Sequence, residues 1–180
     1  MKENQVILLD RDGVINVNSS SYVKSVNELL FIEGSLKAIS LLTKANFSIF
    51  VVSNQSAIAR GLTTLENLEK IHDEIDKAVI RRNGKINGYY FCPHRPDDAC
   101  ECRKPKIGML EQIENDHDIE LEGSFFIGDA LTDIELAKNY GLKAVLVRTG
   151  HGRQTEKNIR KGSLVFENLL EAVQELILIK

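Results

Sequence analysis

Short apolar runs alternate with stretches of helical periodicity through this 180-residue chain, and that alternation limits its fold most strongly. Runs of this length without polar alternation are typical of strands buried on both faces. The runs lie at 5–10, 47–53, 88–92, 124–129 and 143–148. Between them, apolar residues recur at the spacing of amphipathic helices. The predicted helices are 34–45, 64–82, 106–116, 131–139 and 168–178.

This order of elements predicts an α/β fold, a Rossmann-like three-layer sandwich with a mostly parallel central sheet. After five or six strand-helix units, no segment is long enough for a separate cap domain. We therefore expect a single domain over residues 1–180. Thr63, followed three residues later by Glu66, predicts a capping box at the start of the helix over 64–82.

Charge and segment length argue against several classes of protein. The formal net charge of -3 is small and evenly spread, which is not typical of a nucleic-acid groove or a membrane-surface helix. No segment approaches the roughly 20 apolar residues of a membrane helix. The apolar run near the N-terminus is too short for a signal peptide. We expect a soluble, cytoplasmic monomer that binds neither nucleic acid nor membranes.

Polar residues follow the predicted strands, at the end where parallel α/β sheets bind ligands. Asp10 and Asp12 follow the first strand, and Gly13 then lets the backbone turn. Two carboxylates so close suit either a bound cation or a pair with one ionised and one protonated member. Phosphoryl transfer uses both arrangements, with one aspartate as nucleophile and the other as proton donor. A D-x-D pair is also common in surface loops and calcium sites.

A second acidic site follows the strand at 124–129. Asp129 ends that strand, and Asp133 lies about one helical turn further on. Magnesium prefers oxygen ligands, so Asp10, Asp129 and the backbone carbonyl of Asp12 would be enough protein to bind it. Asp133 either only charges the first turn of a helix or supports the metal ligands without touching the ion, and we assign it no ligand role.

Two other strand ends carry groups that suit phosphate. Ser53 can donate a hydrogen bond to a phosphate oxygen, although a serine that caps a helix looks the same in sequence. Lys104 offers the positive charge that a phosphoryl group needs, and Arg103 precedes it. Both cations directly follow a cluster of cysteines, which predicts that the cluster positions them.

That cluster has the form C-x-H-x5-C-x-C and consists of Cys92, His94, Cys100 and Cys102. Four nitrogen and sulfur donors without a free position are typical of a closed, tetrahedral zinc site with a structural role. The loop between them has little apolar surface, and zinc can order such a segment where a core cannot. We predict structural zinc in the loop 92–102; the alternative is a set of unligated thiols.

The other histidines receive no site role from the sequence. His72 and His117 lie on predicted helices and His151 in a polar segment, so all three are interpreted as surface or packing residues. The segment 152–162 is interpreted as a solvated loop or short helix without assigned function.

The strings "DRDG", "SNQS" and "GDALTD", together with Lys104, resemble the four motifs of the haloacid dehalogenase superfamily of phosphatases. The resemblance covers essentially the whole chain. Longer strings, "LDRDGVIN", "NQSAIARGL" and "CPHRPDDACECRKPKIGML", are similar to the D-glycero-D-manno-heptose 1,7-bisphosphate 7-phosphatases, a family that feeds bacterial heptose synthesis.

This resemblance implies magnesium-dependent hydrolysis of the 7-phosphate through an aspartyl-phosphate. Asp10 would be the nucleophile, and Asp12 the general acid and then the base. Magnesium would be bound by Asp10, the Asp12 carbonyl and Asp129. Phosphate and substrate would contact Ser53, Asn54, Gln55, Ser56, Arg103 and Lys104. Zinc would be bound by Cys92, His94, Cys100 and Cys102.

Two alternatives stay open from the sequence. The histidinol-phosphate phosphatases, like other phosphatases of small phosphate monoesters, would use the same catalytic residues, and they share the zinc loop. A binding module stapled by zinc, without catalysis, would keep the aspartates only as surface charge.

Overall fold

A computed structural model describes residues 5–160 and 163–178. Its strands are β1 (Val6–Leu9), β2 (Ser48–Asn54), β3 (Gly88–Cys92), β4 (Phe125–Gly128), β5 (Lys143–Val147) and β6 (Leu164–Phe166). Its α-helices are α1 (Ser35–Lys44), α2 (Leu65–Ile80), α3 (Gly108–His117), α4 (Leu131–Tyr140), α5 (Gly152–Thr155) and α6 (Leu169–Leu178).

The strands form one sheet in the order β3-β2-β1-β4-β5-β6, and each neighbouring pair is parallel. The chain starts in the middle with β1, builds outwards to β3, and returns to pair β4 with the other side of β1. Strand order therefore reverses between β1 and β4, which opens a crevice beyond their carboxyl ends. The predicted α/β, Rossmann-like fold is confirmed.

Two apolar layers cover the sheet. Along β1, Ile7 and Leu9 point into the layer built by α1, α2 and α6, whereas Val6 and Leu8 point into the layer built by α3 and α4. Alternate residues of a strand face opposite sides of its sheet, so a strand buried in both layers must be apolar throughout. β1 is fully buried for this reason and holds the residues that follow it in a fixed position.

The structure corrects the predicted start of α2. Thr64, not Thr63, is the N-cap, because its hydroxyl accepts a hydrogen bond from the Asn67 backbone N–H. The Thr63 hydroxyl instead donates to the Lys24 carbonyl at 2.7 Å, so the capping box of Thr63 and Glu66 was wrong.

Other boundaries differ from the sequence prediction by a few residues. α3 begins at Gly108 rather than 106, because Lys106 is held in a turn by its N–H bond to the Arg103 carbonyl. β6, a strand of three residues, was not predicted. Within 152–162, α5 matches the interpretation as a short helix; 161–162 lie outside the described residues. No helix in the described ranges is long and apolar enough to cross a membrane.

Candidate active site

The residues that follow β1, β3 and β4 meet at the crevice. Lys104 Nζ lies 2.9 Å from Asp10 Oδ1, although the two residues are 94 positions apart in the chain. Oxygens of Asp10, Asp129 and Asp133 all lie within 4.8 Å of one another. The sequence predicted that Asp10, Lys104 and Asp129 share one site, and the structure brings them together.

Lys104 is almost completely buried, with 3% of its surface exposed. Its ammonium group donates to Asp10 and to the Val52 carbonyl, at 2.9 and 2.8 Å, and lies 2.7 Å from Asp133 Oδ1. An ammonium has three N–H donors; hydrogen bonds to Asp10 and to the Val52 carbonyl use two of them, and the contact with Asp133 is an ion pair. Lys104 therefore stands as a fixed positive charge next to the Asp10 carboxylate.

Burial and mutual repulsion act on the carboxylates of this cluster. Burial raises the pKa of Asp10 to about 7, against the opposing effect of Lys104. Burial, followed by the charges of Asp10 and Asp133, raises the pKa of Asp129 to about 8. For Lys104, the two aspartates Asp10 and Asp133 outweigh the effect of burial and raise the pKa. Without a further cation, Asp10 and Asp129 therefore keep their protons to a higher pH than ordinary carboxylates, which lose them at about pH 4.

The backbone is close around Asp129. Its Oδ2 accepts a hydrogen bond of 2.6 Å from the His151 N–H. Gly13 and Gly150 have φ values of +89° and +55°, and a Cβ on either residue would collide with the Asp129 carboxylate. Both positions therefore need glycine for conformation and for space. The sequence did not reveal His151 as a neighbour of the site, since a backbone N–H leaves no signal in residue type.

Asp133 was also underestimated from the sequence. Its Oδ2 accepts hydrogen bonds from the backbone N–H groups of Asp129 and Ala130, at 3.2 and 3.0 Å. Its other oxygen faces Lys104, and only 1% of the residue is exposed. Asp133 thus fixes both the turn that carries Asp129 and the ammonium of Lys104. Asp133 lies three residues after Ala130, in the first turn of α4, and a carboxylate at that position can bond back to the N–H groups before the helix; this spacing was the signal in the sequence.

Asp12 lies at the rim and is surrounded by donors. Arg11 Nη2 donates to both of its oxygens at 2.8 Å, Asn16 Nδ2 to Oδ1 at 2.8 Å and Gln55 Nε2 to Oδ2 at 2.9 Å. Burial would raise the pKa of Asp12, but the Arg11 charge and these hydrogen bonds outweigh it and hold the pKa below its usual value. The pKa of Asp12 is therefore shifted in the opposite direction from that of Asp10.

The predicted substrate contacts differ in their surroundings. Ser53 and Ser56 lie at the crevice and are nearly buried. Gln55 donates to Ser53 Oγ as well as to Asp12. The Asn54 amide pairs with the N–H and the carbonyl of Lys104 at 3.0 and 3.2 Å, so it positions that lysine's backbone. Arg103 donates to the His94 carbonyl.

The cysteine and histidine cluster has tetrahedral dimensions. Zinc–sulfur bonds of about 2.3 Å and zinc–nitrogen bonds of about 2.0 Å imply S···S edges of about 3.7 Å and N···S edges of about 3.5 Å. Cys92 Sγ lies 3.7 Å from Cys100 Sγ and 3.5 Å from His94 Nδ1, which lies 3.3 Å from Cys102 Sγ. All four donor atoms lie within 4.8 Å of one another, so the cluster fits a zinc ion.

The loop 92–102 is joined to the segment 55–61 mainly through backbone atoms. Gln55 N–H donates to the Cys92 carbonyl at 2.7 Å, and Ala59 N–H donates to the Pro93 carbonyl at 3.3 Å. Arg95 returns two bonds to the Ala59 carbonyl, at 3.1 and 2.8 Å. The loop that carries the cysteine cluster therefore contacts one wall of the crevice, the segment 55–61.

Two of the three remaining histidines pack as predicted. His72 is buried and stacked on Tyr89, with ring centroids 4.2 Å apart. His117 lies 4.6 Å from Phe50. His151 differs, because it touches Asp129 through its N–H and its Nε2 lies 2.5 Å from Asn18 Nδ2. His151 thus joins the loop after β5 to the segment after β1.

A doubly wound parallel sheet with two aspartates after β1, a buried lysine opposite them and further acids after β4 defines a haloacid-dehalogenase-like hydrolase. A family model described as HAD-hydrolase-like matches residues 101–172. Among curated relatives, D-glycero-beta-D-manno-heptose-1,7-bisphosphate 7-phosphatase of Pseudomonas putida is 43% identical over 96% of this chain and 99% of its own. The Pseudomonas aeruginosa protein of that name is 40% identical, over 96% and 97%.

Solved structures agree with these relatives. The crystal structure of D,D-heptose 1,7-bisphosphate phosphatase from B. bronchiseptica, complexed with magnesium and phosphate, has a TM-score of 0.93 and 39% sequence identity. The match covers 98% of this chain and 99% of that one. The chain therefore belongs to the family of the D-glycero-beta-D-manno-heptose-1,7-bisphosphate 7-phosphatases, which confirms the resemblance found in the sequence motifs.

Proposed function

We propose that this protein is a magnesium-dependent phosphatase that hydrolyses the 7-phosphate of D-glycero-beta-D-manno-heptose 1,7-bisphosphate. The observation that carries the proposal is the match to relatives of that name over nearly the full length of both chains. The approach of Asp10, Lys104 and Asp129 at one crevice supports the same chemistry. Most relatives carry "beta" in their names, which supports the beta anomer.

Asp10 is the proposed nucleophile, because it is the carboxylate beside the buried ammonium. Its free oxygen attacks phosphorus, the ester P–O bond breaks, and the departing sugar oxygen takes a proton from Asp12. The phosphate dianion next to Asp12 raises the pKa of that carboxyl by like-charge repulsion and so favours the protonated form. Lys104 and Ser53 would bind the oxygens of the transferring phosphoryl group.

The second half of the reaction restores the enzyme. A water oxygen forms a bond to phosphorus while the bond from phosphorus to the Asp10 oxygen breaks, and the proton of the water passes to Asp12. Inorganic phosphate leaves, and Asp10 returns as a carboxylate. Asp12 thus gives a proton in one step and takes one in the next.

The acidic cluster fits a magnesium ion. Three buried carboxylates lie close together, and the one ammonium beside them pairs with only Asp10 and Asp133, so the fully ionised cluster has an excess of negative charge. Carboxylate oxygens of Asp10 and Asp129 and the backbone carbonyl of Asp12 would bind Mg²⁺, and water or phosphate oxygens would complete the shell. When bound, the ion neutralises charge on the phosphoryl oxygens. The B. bronchiseptica structure was solved with magnesium and phosphate.

We further propose that Cys92, His94, Cys100 and Cys102 bind one structural Zn²⁺. The donor spacing supports this, and the contacts of the loop with Gln55 and Ala59 give the ion a role in shaping the crevice. Four thiolate and imidazole donors remain available to zinc in a reducing compartment, which supports a cytoplasmic enzyme. We expect it to act as a monomer.

Phosphate release from the substrate tests this function. The wild-type protein with Mg²⁺ should release the 7-phosphate of the beta anomer with a higher kcat/KM than that of the alpha anomer or of histidinol phosphate. Asp10→Asn should lower kcat by at least about 10³-fold while the circular dichroism spectrum stays unchanged. Asp73→Asn, an exchange at an exposed position of α2, is the matched control.

Three outcomes would count against the proposal. A higher kcat/KM on histidinol phosphate than on the heptose bisphosphate would show that histidinol phosphate is the preferred substrate. Near-normal turnover by Asp10→Asn would remove Asp10 as nucleophile. No phosphate release from any ester, with Mg²⁺ bound, would favour a binding module instead of an enzyme.

A further inference from the structure

Arg11 stands between the two aspartates in sequence, and its side chain is completely buried. A buried guanidinium is unfavourable unless its donors are paired, and Nη1 of Arg11 has no hydrogen-bond partner among the described residues, so the contacts of Nη2 and Nε compensate for its burial. Nη2 donates to Asp12 Oδ1 and Oδ2, both at 2.8 Å, and Nε lies 3.3 Å from Oδ1. The carboxylate that receives these bonds is the one to which the proposed function gives both proton transfers. Nothing in that function so far requires Arg11.

The donors around Asp12 are unequal. Arg11 is charged, whereas Asn16 and Gln55 donate through neutral amides. All three donors bond to a carboxylate, but only the contact with Arg11 also joins two opposite full charges. Gln55 Nε2 also lies 3.2 Å from Ser53 Oγ and so has a second acceptor. Arg11 is therefore the donor with the strongest hold on the Asp12 carboxylate, and Gln55 is the one with an alternative acceptor.

His72 does not compete with Arg11 for Asp12. Burial, followed by the Arg11 charge, lowers the pKa of His72 to about 3, so the ring is neutral. Its stacking on Tyr89 holds it in place. Arg11 has no exposed surface, so the guanidinium cannot turn to solvent and release Asp12. Among the three donors to the Asp12 carboxylate, Arg11 is thus the charged one, and it has no exposed surface.

We propose that Arg11 is a positioning residue that holds the Asp12 carboxylate, with its oxygens as acceptors, to take the proton of the water that attacks the aspartyl-phosphate. This inference rests on the proposed function. The chemistry is the second half-reaction: a P–O bond to water forms, the P–O bond to Asp10 breaks, and the proton of the water moves to Asp12. Without Arg11, the phosphorylated enzyme should form but should be hydrolysed slowly.

The test uses p-nitrophenyl phosphate, whose acidic leaving group departs without a proton from Asp12. With Arg11→Met, kcat should fall on the order of 10- to 100-fold, the scale of losing a charged hydrogen bond to a group that transfers protons. KM should fall by a similar factor, so that kcat/KM stays within about threefold, because the slow step follows leaving-group departure. A burst of p-nitrophenol and phosphate trapped on Asp10 after acid quench should accompany these changes.

Two further variants separate positioning from folding. Arg11→Lys keeps the charge but lacks the planar guanidinium, so its kcat should lie between that of the wild type and that of Arg11→Met. It serves as the test if Arg11→Met does not fold. In an Asp12→Asn background, Arg11→Met should cause no additional loss of kcat. Arg81→Met, on an exposed surface arginine, is the control and should change none of these constants.

The outcomes distinguish this inference from the function on which it rests. A fall in kcat and kcat/KM by the same factor, without a burst, would mean that Arg11 is only structural. An unchanged or higher kcat would mean that Arg11 restrains Asp12 away from the reaction. Either result, in a wild-type enzyme that is active, overturns the role of Arg11 alone. A wild-type protein without turnover of any ester would overturn the function itself.

Discussion

Replacing Lys104 by Met would show how much one buried cation contributes to both folding and turnover. The ammonium contacts three oxygens, two of which belong to buried carboxylates. Methionine has a similar length and no charge, so the variant removes the charge with little change in packing. Breaking a buried ion pair by removing one partner costs about 3–5 kcal/mol of unfolding free energy. A loss of that size is a large share of the stability of a typical domain.

The loss should depend on pH in a defined direction. In the metal-free protein, Asp10 and Asp129 have pKa values of about 7 and about 8, raised from 3.8. Both bind protons more tightly when folded, so their contribution to stability is present below the unfolded pKa and is lost as pH rises through the folded values. Without Lys104, both folded pKa values rise further. The effect of Lys104→Met should therefore be smallest near pH 5 and largest near pH 8.5.

Urea unfolding followed by circular dichroism, in chelator and at both pH values, measures this difference. Lys70→Met is the matched control: Lys70 pairs with Glu66 on the exposed face of α2, and its loss should cost at most about 0.5 kcal/mol. With Mg²⁺ present, kcat/KM of Lys104→Met should fall by about 10²- to 10³-fold, the scale for removing one donor to a developing anion. A destabilisation below about 1 kcal/mol at both pH values would refute the reasoning from burial.

Two further predictions follow from the metal sites. Mg²⁺ should raise the melting temperature of the wild-type protein more at about pH 8 than at about pH 5.5, because at lower pH it must displace protons from Asp10 and Asp129; calorimetry with an equal shift at both pH values would contradict this. Elemental analysis should give about one zinc per chain. Cys100→Ser should lose most of that zinc, melt at lower temperature and hydrolyse substrate more slowly; full activity without zinc would contradict the role of the loop.

The sequence predicted the parts of the molecule that depend on local pattern. The buried runs that precede Asp10, Ser53 and Asp129 are apolar on both faces, and parallel strands end at the same edge, so the meeting of Asp10 with Lys104 and Asp129 could be inferred. The spacing of Cys92, His94, Cys100 and Cys102 likewise predicted a cluster before any coordinates.

What the sequence could not predict depends on contacts between distant residues. Asp133 looked like an ordinary first-turn acid because Lys104, its partner, lies on another element. Arg11 looked like any polar residue after a strand, since nothing local distinguishes a buried guanidinium from an exposed one. The sequence placed the cap of α2 at Thr63, whereas the structure places it at Thr64, because the Thr63 hydroxyl bonds to the distant Lys24 carbonyl.

The attachment of segment 55–61 to the cysteine loop has an evolutionary consequence. Its anchors on that segment are the N–H and carbonyl groups of Ala59 and the N–H of Gln55, which almost any residue can supply. Side chains along this wall can therefore change during divergence while the wall keeps its place. Point mutations in this segment can therefore accumulate one at a time, because the backbone contacts that hold it do not depend on the side chains that change.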